Sequence, residues 1–211
     1  MFCSPDDRYN PNGTSSYTEK EIDIIFNQCV EDIHEMYEIY ENTDQGISVD
    51  TIINNIHKND FKLDSDTKKM MRYIEPRKSK DMKVYIRLYQ PTGNWYIGYT
   101  TQESARARHL REMWEVVRQR YNNTIHTASK ILRFYDEVID EECGFNDLED
   151  YDDDNFLIYT VATVRDARTA KIIEGRLIKY FTDQNNHTSL PIDLCLNTQG
   201  ITDNSIRILH L

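Results

Sequence analysis

The sequence predicts a mixed α/β (α+β) fold, in which a small, mainly antiparallel sheet is flanked by helices and preceded by an N-terminal helical region. Three observations support this class. Residues 84–99 contain two strand-like runs around a short turn, residues 156–164 (FLIYTVATV) form an apolar run with β-branched residues, and helical spacing of apolar residues surrounds both. The 211 residues suffice for one domain of ordinary size with an appendage.

The N-terminal region contains three predicted helices. Thr18 and Glu21 form a capping box, and apolar residues recur behind it at helical spacing, so a helix is expected over residues 18–41. Two shorter helices are predicted over residues 48–57 and 64–75. Two alternatives describe this region: a cap on one face of the core, or a separate module that reads DNA or binds a partner protein.

A hairpin is predicted to open the second region. Apolar and polar residues alternate over residues 84–89, which predicts a half-buried strand with one polar, aromatic face. The turn-forming residues 91–94 and a return strand over residues 95–99 complete the hairpin. Gly98 allows a close backbone approach near the end of the second strand.

Three further helices are predicted, over residues 103–121, 125–135 and 165–181. In the first, several arginines project away from an apolar stripe that is expected to face the core, formed by Leu110, Met113, Trp114 and Val117.

A strongly acidic run separates the last two of these helices. Residues 136–154 contain 11 carboxylates and no basic residue, and they lack the Asp and Gly spacing of an EF-hand loop. They are expected to be a solvated, flexible insertion; the alternative is an acidic flap that competes with DNA for a basic face. The predicted domains are therefore a tail and helical region over residues 1–80, a core over 81–190 that carries the insertion, and an extension over 191–211.

Charge is unevenly distributed along the chain. The net charge is −11, but residues 83–135 carry 9 basic and 3 acidic side chains, a local balance of +6. A local excess of basic residues is what phosphate binding requires, so the acidic total does not exclude a nucleic-acid enzyme.

The expected compartment is intracellular. The N-terminus lacks the basic and apolar segments of a signal peptide, and no run reaches the roughly 18 apolar residues of a membrane span. The four cysteines are scattered, which predicts reduced thiols and no zinc site. Cytoplasm and nucleus are not distinguished. The many Ile, Asn, Asp and Tyr residues hint at an AT-rich coding genome, as in many viruses.

A set of residues in the second region resembles the GIY-YIG nuclease superfamily. Val84-Tyr85 lie on one predicted strand, Tyr96-Ile97-Gly98 on the next, and Arg106 follows Tyr96 by ten residues. Glu174, in the helix AKIIEGRLIKYF, is similar to the metal-binding glutamate of that family. The resemblance covers about half of the chain, residues 83–186, and implies a metal-dependent DNA endonuclease.

The resemblance also implies roles for individual residues. Glu174 would hold Mg²⁺ or Mn²⁺, and Arg106 would neutralise the scissile phosphate. Tyr85 and Tyr96 would place two phenols beside that phosphate, one of them acting as general base or orienting the water. His126 is similarly placed to a histidine of the homing-endonuclease branch and is a candidate for proton transfer or phosphate contact. Further DNA contacts are expected from Arg87, Arg108, Arg111 and Lys130.

The sequence also departs from the family pattern. Lys83 replaces the first glycine of the motif, and Leu110 stands where the family commonly has histidine or tyrosine. His109 or His126 would then replace that residue, or the enzyme would be weak. An asparagine often follows the family's glutamate helix, and Asn185, Asn186 and Asn197 are equal candidates.

Two other functions are open at this point. One is a catalytically inactive GIY-YIG-fold module that binds DNA or protein, and the other is a scaffold whose N-terminal helices bind the partner. A nuclease that cuts both strands of a duplex requires a homodimer or two sequential cuts.

Overall fold

The computed structural model describes residues 10–41, 81–102, 104–121, 130–143, 155–186, 188 and 190–197. Its elements are, in chain order, α1 (Glu19–Glu41), β1 (Met82–Tyr89), β2 (Asn94–Thr100), α2 (Ala105–Tyr121), α3 (Lys130–Cys143), β3 (Phe156–Val164), α4 (Ala167–Thr182) and a 3-10 turn (Ile192–Leu194). The predicted mixed fold with a small antiparallel sheet is confirmed. The helices predicted over residues 48–57 and 64–75 lie outside the described residues.

The sheet has three antiparallel strands in the order β2-β1-β3. The turn between β1 and β2 includes Gly93, whose φ of 74° is readily adopted only by glycine. Pairing sets Tyr85 opposite Gly98 and Arg87 opposite Tyr96. The register between β1 and β3 shifts after Val84, leaving Val161 as the extra residue of a bulge.

Strand β1 lies at the centre of the sheet and is buried on both faces. Its burial corrects the prediction of a half-buried strand with a polar outer face, because helices cover both sides. Val84, Ile86 and Leu88 point to one hydrophobic cluster, and Tyr89 points to another. The two faces therefore form two cores of different composition.

The first core is apolar and is covered by α1 and α4. Both helices contribute side chains at helical spacing to the cluster that contains Val84 and Ile86. Helix α1 begins with the predicted capping box: the Thr18 amide donates to Glu21 Oε2 at 2.7 Å, and the Glu21 amide donates to Thr18 Oγ1 at 3.3 Å. Of the two alternatives for the N-terminal region, packing on one face of the core agrees with the position of α1.

The residues just before α1, which belong to the predicted N-terminal tail, are anchored to the start of α4. Asp166 caps α4 by accepting from the Thr169 amide at 2.8 Å, and it also accepts from the Ser16 amide at 3.0 Å. The Ser15 hydroxyl lies 2.8 Å from the Thr169 hydroxyl. A buried carboxylate is stabilised by such donors, so the chain before α1 is held to the start of α4.

Helix α3 corrects the predicted start of the acidic insertion. The helix continues to Cys143, well past the expected end at residue 135, and Val138 is buried in the second core. The first part of the acidic run is therefore helical, and residues 144–154 lie outside the described residues. None of the described helices has the length and hydropathy that crossing a bilayer requires.

The segment 190–197 packs against the outer edge of β2. Trp95 and Cys195 form an isolated parallel bridge, and the Leu196 amide donates to the Trp95 carbonyl at 2.8 Å. The side chain of Asn197 accepts from the Ile97 amide at 2.8 Å and donates to the Ile97 carbonyl at 2.7 Å. The predicted C-terminal extension thus begins as part of the core and covers an otherwise open strand edge.

Candidate active site

Tyr85, Tyr96 and Gly98 meet on the second face of the sheet. The two rings lie with their centroids 6.4 Å apart. A Cβ added to Gly98 would lie 2.6 Å from Tyr96 Cε1 and 2.8 Å from the Tyr85 hydroxyl oxygen, both closer than real Cβ contacts allow. Glycine is therefore required here because the two phenol rings occupy the space that any side chain would need.

Glu174, on α4, influences this pair of phenols through its charge. Its neighbour Ile173 is fully buried, while Glu174 itself is partly exposed at the edge of the apolar face. Loss of solvent raises the pKa of Glu174 to about 8, although Lys171 opposes the shift. The Glu174 carboxylate also contributes to the raised pKa values of Tyr96 and Tyr85, after the larger effect of burial. Three groups that are distant in sequence thus share one electrostatic environment.

Arg87 lies beneath the two tyrosines. It is 1% exposed, donates to the Tyr85 hydroxyl at 2.9 Å, and places its guanidinium carbon 4.7 Å from the Tyr85 ring centroid and 5.5 Å from that of Tyr96. An ion pair with Glu112 and a hydrogen bond to Tyr135 complete its contacts. The structure corrects the prediction that Arg87 contacts DNA, because protein groups enclose its guanidinium.

The charge of Arg87 acts directly on Tyr85. Burial raises the pKa of Tyr85 to about 12, and the positive charges of Arg87 and Arg108 oppose that rise. Burial likewise raises the pKa of Tyr96 well above its usual value. Both phenols are therefore neutral near pH 7. Arg87, which was expected only to contact DNA, is a cation that hydrogen-bonds Tyr85 directly.

Helix α2 is rotated relative to the prediction. Ala105, His109, Met113 and Val116 face the interior, whereas Leu110 is 38% and Trp114 is 61% exposed. One residue of offset corresponds to about 100° of rotation. The expected stripe is right for Met113 and for Val117, which packs against the second core, but wrong for Leu110 and Trp114, because polar groups on the inner face decide the orientation.

Those polar groups are His109 and Glu112. His109 is fully buried, with its Nδ1 2.9 Å from the Tyr135 hydroxyl and its ring centroid 4.6 Å from that of Phe156. Glu112 binds Arg87 on one side and Arg108, at 2.7 Å, on the other. His109 is therefore directed to the core, and this position does not suit it to replace the missing family residue at Leu110.

The other residues expected to contact the phosphate or DNA differ in their exposure and in their partners. Arg106 and Arg111 are exposed on α2, and Arg108 is 40% exposed while it pairs with Glu112. Lys130 donates to the Cys195 carbonyl and so ties α3 to the segment along β2. His126 lies outside the described residues.

Asn197 is the one candidate asparagine that lies beside the motif. It holds both backbone groups of Ile97, the residue between Tyr96 and Gly98. Asn186 instead donates to the Tyr180 carbonyl at 3.1 Å, and Asn185 is exposed. Asn197 therefore fixes the strand that presents Tyr96, a role the sequence alone did not assign.

Two described carboxylates, Glu112 and Glu174, raise the pKa of both phenols. Glu112 is paired with Arg87 and Arg108, so Glu174 is the candidate cation ligand. Within the parts of the chain that the structure covers, no group of three or more His, Cys, Asp or Glu side chains converges on one point. One carboxylate fits Mg²⁺, because that ion retains several waters and takes oxygen ligands from a bound phosphate. The raised pKa of Glu174, about 8, is what an enclosed carboxylate with little opposing positive charge shows.

Comparison of the chain with family models, with curated proteins and with solved structures gave no match. The class that the structure defines is accordingly a mixed α+β protein. Its three-stranded antiparallel sheet carries the phenols of Tyr85 and Tyr96, and the helix α4 carries Glu174.

Proposed function

We propose that this protein is a metal-dependent DNA endonuclease of the GIY-YIG type, which hydrolyses phosphodiester bonds. The observation that carries the proposal is that Tyr85 and Tyr96 lie against Gly98, with the Glu174 carboxylate of α4 close enough to raise the pKa of both phenols. Two phenols and one carboxylate are suited to holding a phosphate and a cation together.

Tyr85 is 1% exposed, so of the two phenols the partly exposed Tyr96 is the one proposed to donate a hydrogen bond to a phosphate oxygen. Arg87 already donates to the Tyr85 oxygen at 2.9 Å, so the phenol's own hydrogen must point elsewhere. With a pKa near 12, this phenol keeps its proton at neutral pH. The tyrosines are therefore proposed to orient the phosphate or the water and not to act as a general base.

Glu174 would hold the cation in its ionised form. A bound Mg²⁺ or Mn²⁺ supplies positive charge to the phosphate oxygens. Because the pKa of Glu174 is about 8, cation binding near neutral pH must release its proton. Arg106 and Arg108, at the start of α2, are the two candidates to neutralise the phosphate.

A plasmid-nicking assay tests this proposal. Supercoiled plasmid and branched DNA are incubated with Mg²⁺ or Mn²⁺ and with wild type, Glu174→Gln, Tyr85→Phe or Arg106→Ala. The expected loss for Glu174→Gln is roughly 100-fold or more in the rate of nicking. Glu31→Gln, on the exposed side of α1, is the matched control and should cut like wild type.

A non-catalytic DNA-binding module is the second candidate. The observation that favours it is that Tyr85, Tyr96 and Glu174 all have raised pKa values, which leaves the site neutral at pH 7. This candidate predicts DNA binding by wild type and by Glu174→Gln alike, with no nicking by either protein. Nicking by wild type that is lost in Glu174→Gln would exclude this non-catalytic candidate.

A further inference from the structure

Helix α2 carries a continuous exposed stripe in which every residue is one turn from the next. Its members are Arg106, Leu110, Trp114 and Arg118, four residues apart, and we call this set the α2 stripe. Trp114 is 61% exposed, whereas the other tryptophan of the chain, Trp95, is fully buried. A single exposed apolar residue is ordinary, but a large aromatic side chain beside an exposed leucine is a feature of binding surfaces.

The exposure of Trp114 is imposed by the buried side of the helix. Turning α2 by about one residue would direct Trp114 and Leu110 inward. The ion pair between Glu112 and Arg87 holds the observed orientation, and so does the contact between His109 and Tyr135. The indole therefore stays at the surface although an apolar stripe suitable for burial exists.

Positive charge surrounds the indole. Arg111 is exposed three residues before Trp114, and Arg118 is exposed four residues after it. The one acidic neighbour among the described positions around Trp114, Glu115, is paired with Arg118 at 2.8 Å. A ligand for this surface must carry both negative charge and a flat apolar face.

An unpaired nucleotide has both properties. Its base stacks on an exposed aromatic ring, and its phosphates bind the planar fork of arginine. In a duplex the bases are stacked inside the helix, so only a flap, fork, gap or single strand offers a base to an indole on a helix surface. Trp114 and Arg106 are two turns apart, about 12 Å along the axis, a distance that a few nucleotides can span.

We propose that the α2 stripe binds an unpaired nucleotide of the DNA substrate, with the base stacked on Trp114 and adjacent phosphates bound by Arg111 and Arg118. This inference rests on the proposed function for the identity of the substrate as DNA. It specifies that substrate as branched or single-stranded DNA, and it places the unpaired strand along α2 toward Arg106.

Tryptophan fluorescence of the full chain tests the proposal, because Trp114 is accessible and Trp95 is not. EDTA is added to prevent cleavage, and the probes are a 12-nucleotide oligothymidylate, a forked duplex and a blunt duplex. The oligothymidylate and the fork should quench the exposed indole, and the blunt duplex should not. Equal quenching by all three probes, or quenching by none, would overturn the proposal.

Variants separate stacking from general charge. Trp114→Ala should weaken binding of the oligothymidylate and fork about ten-fold, and Trp114→Phe, which keeps a stacking ring, should weaken it less. Arg111→Ala should also weaken binding, whereas Lys20→Ala, which removes an exposed charge on α1, should not. Unchanged binding by Trp114→Ala would contradict the proposal.

Two further outcomes identify a different occupant. If acrylamide fails to quench Trp114 in the free, dilute chain, a segment of the same chain covers it; if quenching rises on dilution, a second copy does. Either result would overturn the proposal. Protein that binds through Trp114 but never nicks DNA would defeat the proposed nuclease alone, and nicking without any Trp114 effect would defeat this inference alone.

Discussion

The two faces of the sheet are built on different principles. The face under α1 and α4 is held by apolar side chains at helical and strand spacing. The face under α2 and α3 contains Arg87, Glu112, His109 and Tyr135 in a buried polar network. Apolar burial is proportional to area and tolerates small shifts, whereas a buried network fixes one orientation because every polar group requires its partner. Tyr85 and Tyr96 of the candidate active site lie on the polar face, whereas Glu174 comes from α4, which covers the apolar face.

Removal of Arg87 should produce the largest loss of stability. Arg87→Met leaves Glu112, Tyr85 and Tyr135 without their shared partner, so the free energy of unfolding should fall by about 3–5 kcal/mol in urea denaturation. The comparable change on the apolar face, Ile173→Val, should cost only about 1 kcal/mol.

A double variant checks the cause of that loss. Glu112→Leu combined with Arg87→Met should be more stable than Arg87→Met alone, because the Glu112 carboxylate that had lost its partner is then absent. If the two losses simply add, Arg87 and Glu112 are not coupled, and the proposed difference between the faces is wrong.

The glycines of the two faces should respond in opposite ways. At Gly98 an added Cβ would lie 2.6 Å from Tyr96, so Gly98→Ala should displace the phenols and destabilise the protein by about 2 kcal/mol. At Gly175, in α4, an added Cβ would meet nothing within 4 Å, and Gly175→Ala should stabilise by about 0.5–1 kcal/mol. Thermal unfolding of both variants is the measurement. Equal effects would mean that the space around Gly98 is not restricted.

The pH dependence of stability should reveal Glu174. Because its pKa is raised to about 8, the native state retains a proton that the unfolded chain releases near pH 4.5, so stability falls as pH rises through this interval. After allowance for its partial exposure, we expect wild type to lose about 2 kcal/mol between pH 5 and pH 9 relative to Glu174→Gln. Saturating Mg²⁺ should reduce that loss. Parallel pH profiles for the two proteins would contradict the assignment.

The smallest effect is expected at the outer surface of the apolar face. Arg176 pairs with Asp23 at 2.7 Å and with Glu19, and both carboxylates are exposed. Arg176→Ala should therefore change the free energy of unfolding by only about 0.5 kcal/mol, as measured by urea denaturation. A loss comparable to that of Arg87→Met would remove the distinction between buried and exposed ion pairs.

Sequence reasoning succeeded where apolar periodicity determines structure. The hairpin, β3, α1 with its capping box and α4 all follow from the spacing of apolar residues and from caps. It failed at α2, where His109 and Glu112 face inward because Arg87 and Tyr135 lie opposite. Helical periodicity places polar residues such as His109 and Glu112 at the surface. Their partners lie on β1 and α3, so the local sequence of α2 does not reveal the pairing.

The same distinction applies to the candidate site. The resemblance to the GIY-YIG superfamily predicts Tyr85, Tyr96 and Glu174 as site residues, but the enclosure of Arg87 and the contact of Asn197 with Ile97 depend on tertiary pairing. One signal was present in the sequence: Ala105, His109, Glu112 and Val116 recur at helical spacing as an alternative inner face of α2. Arg87 occupies an inward-facing strand position, and a buried charge of this kind requires an acidic partner.

The pH dependence of nicking tests the central claim that Tyr85, Tyr96 and Glu174 form a nuclease site. At limiting Mn²⁺, the wild-type rate should rise about ten-fold per pH unit well below pH 8, where Glu174 must lose its proton. Glu31→Gln should follow the same curve, whereas Glu174→Gln should be about 100-fold slower at pH 8 and should lack this rise, so that the two rates approach each other at lower pH. A Glu174→Gln variant that nicks at the wild-type rate, or a wild type that binds DNA and never nicks it, would contradict the account.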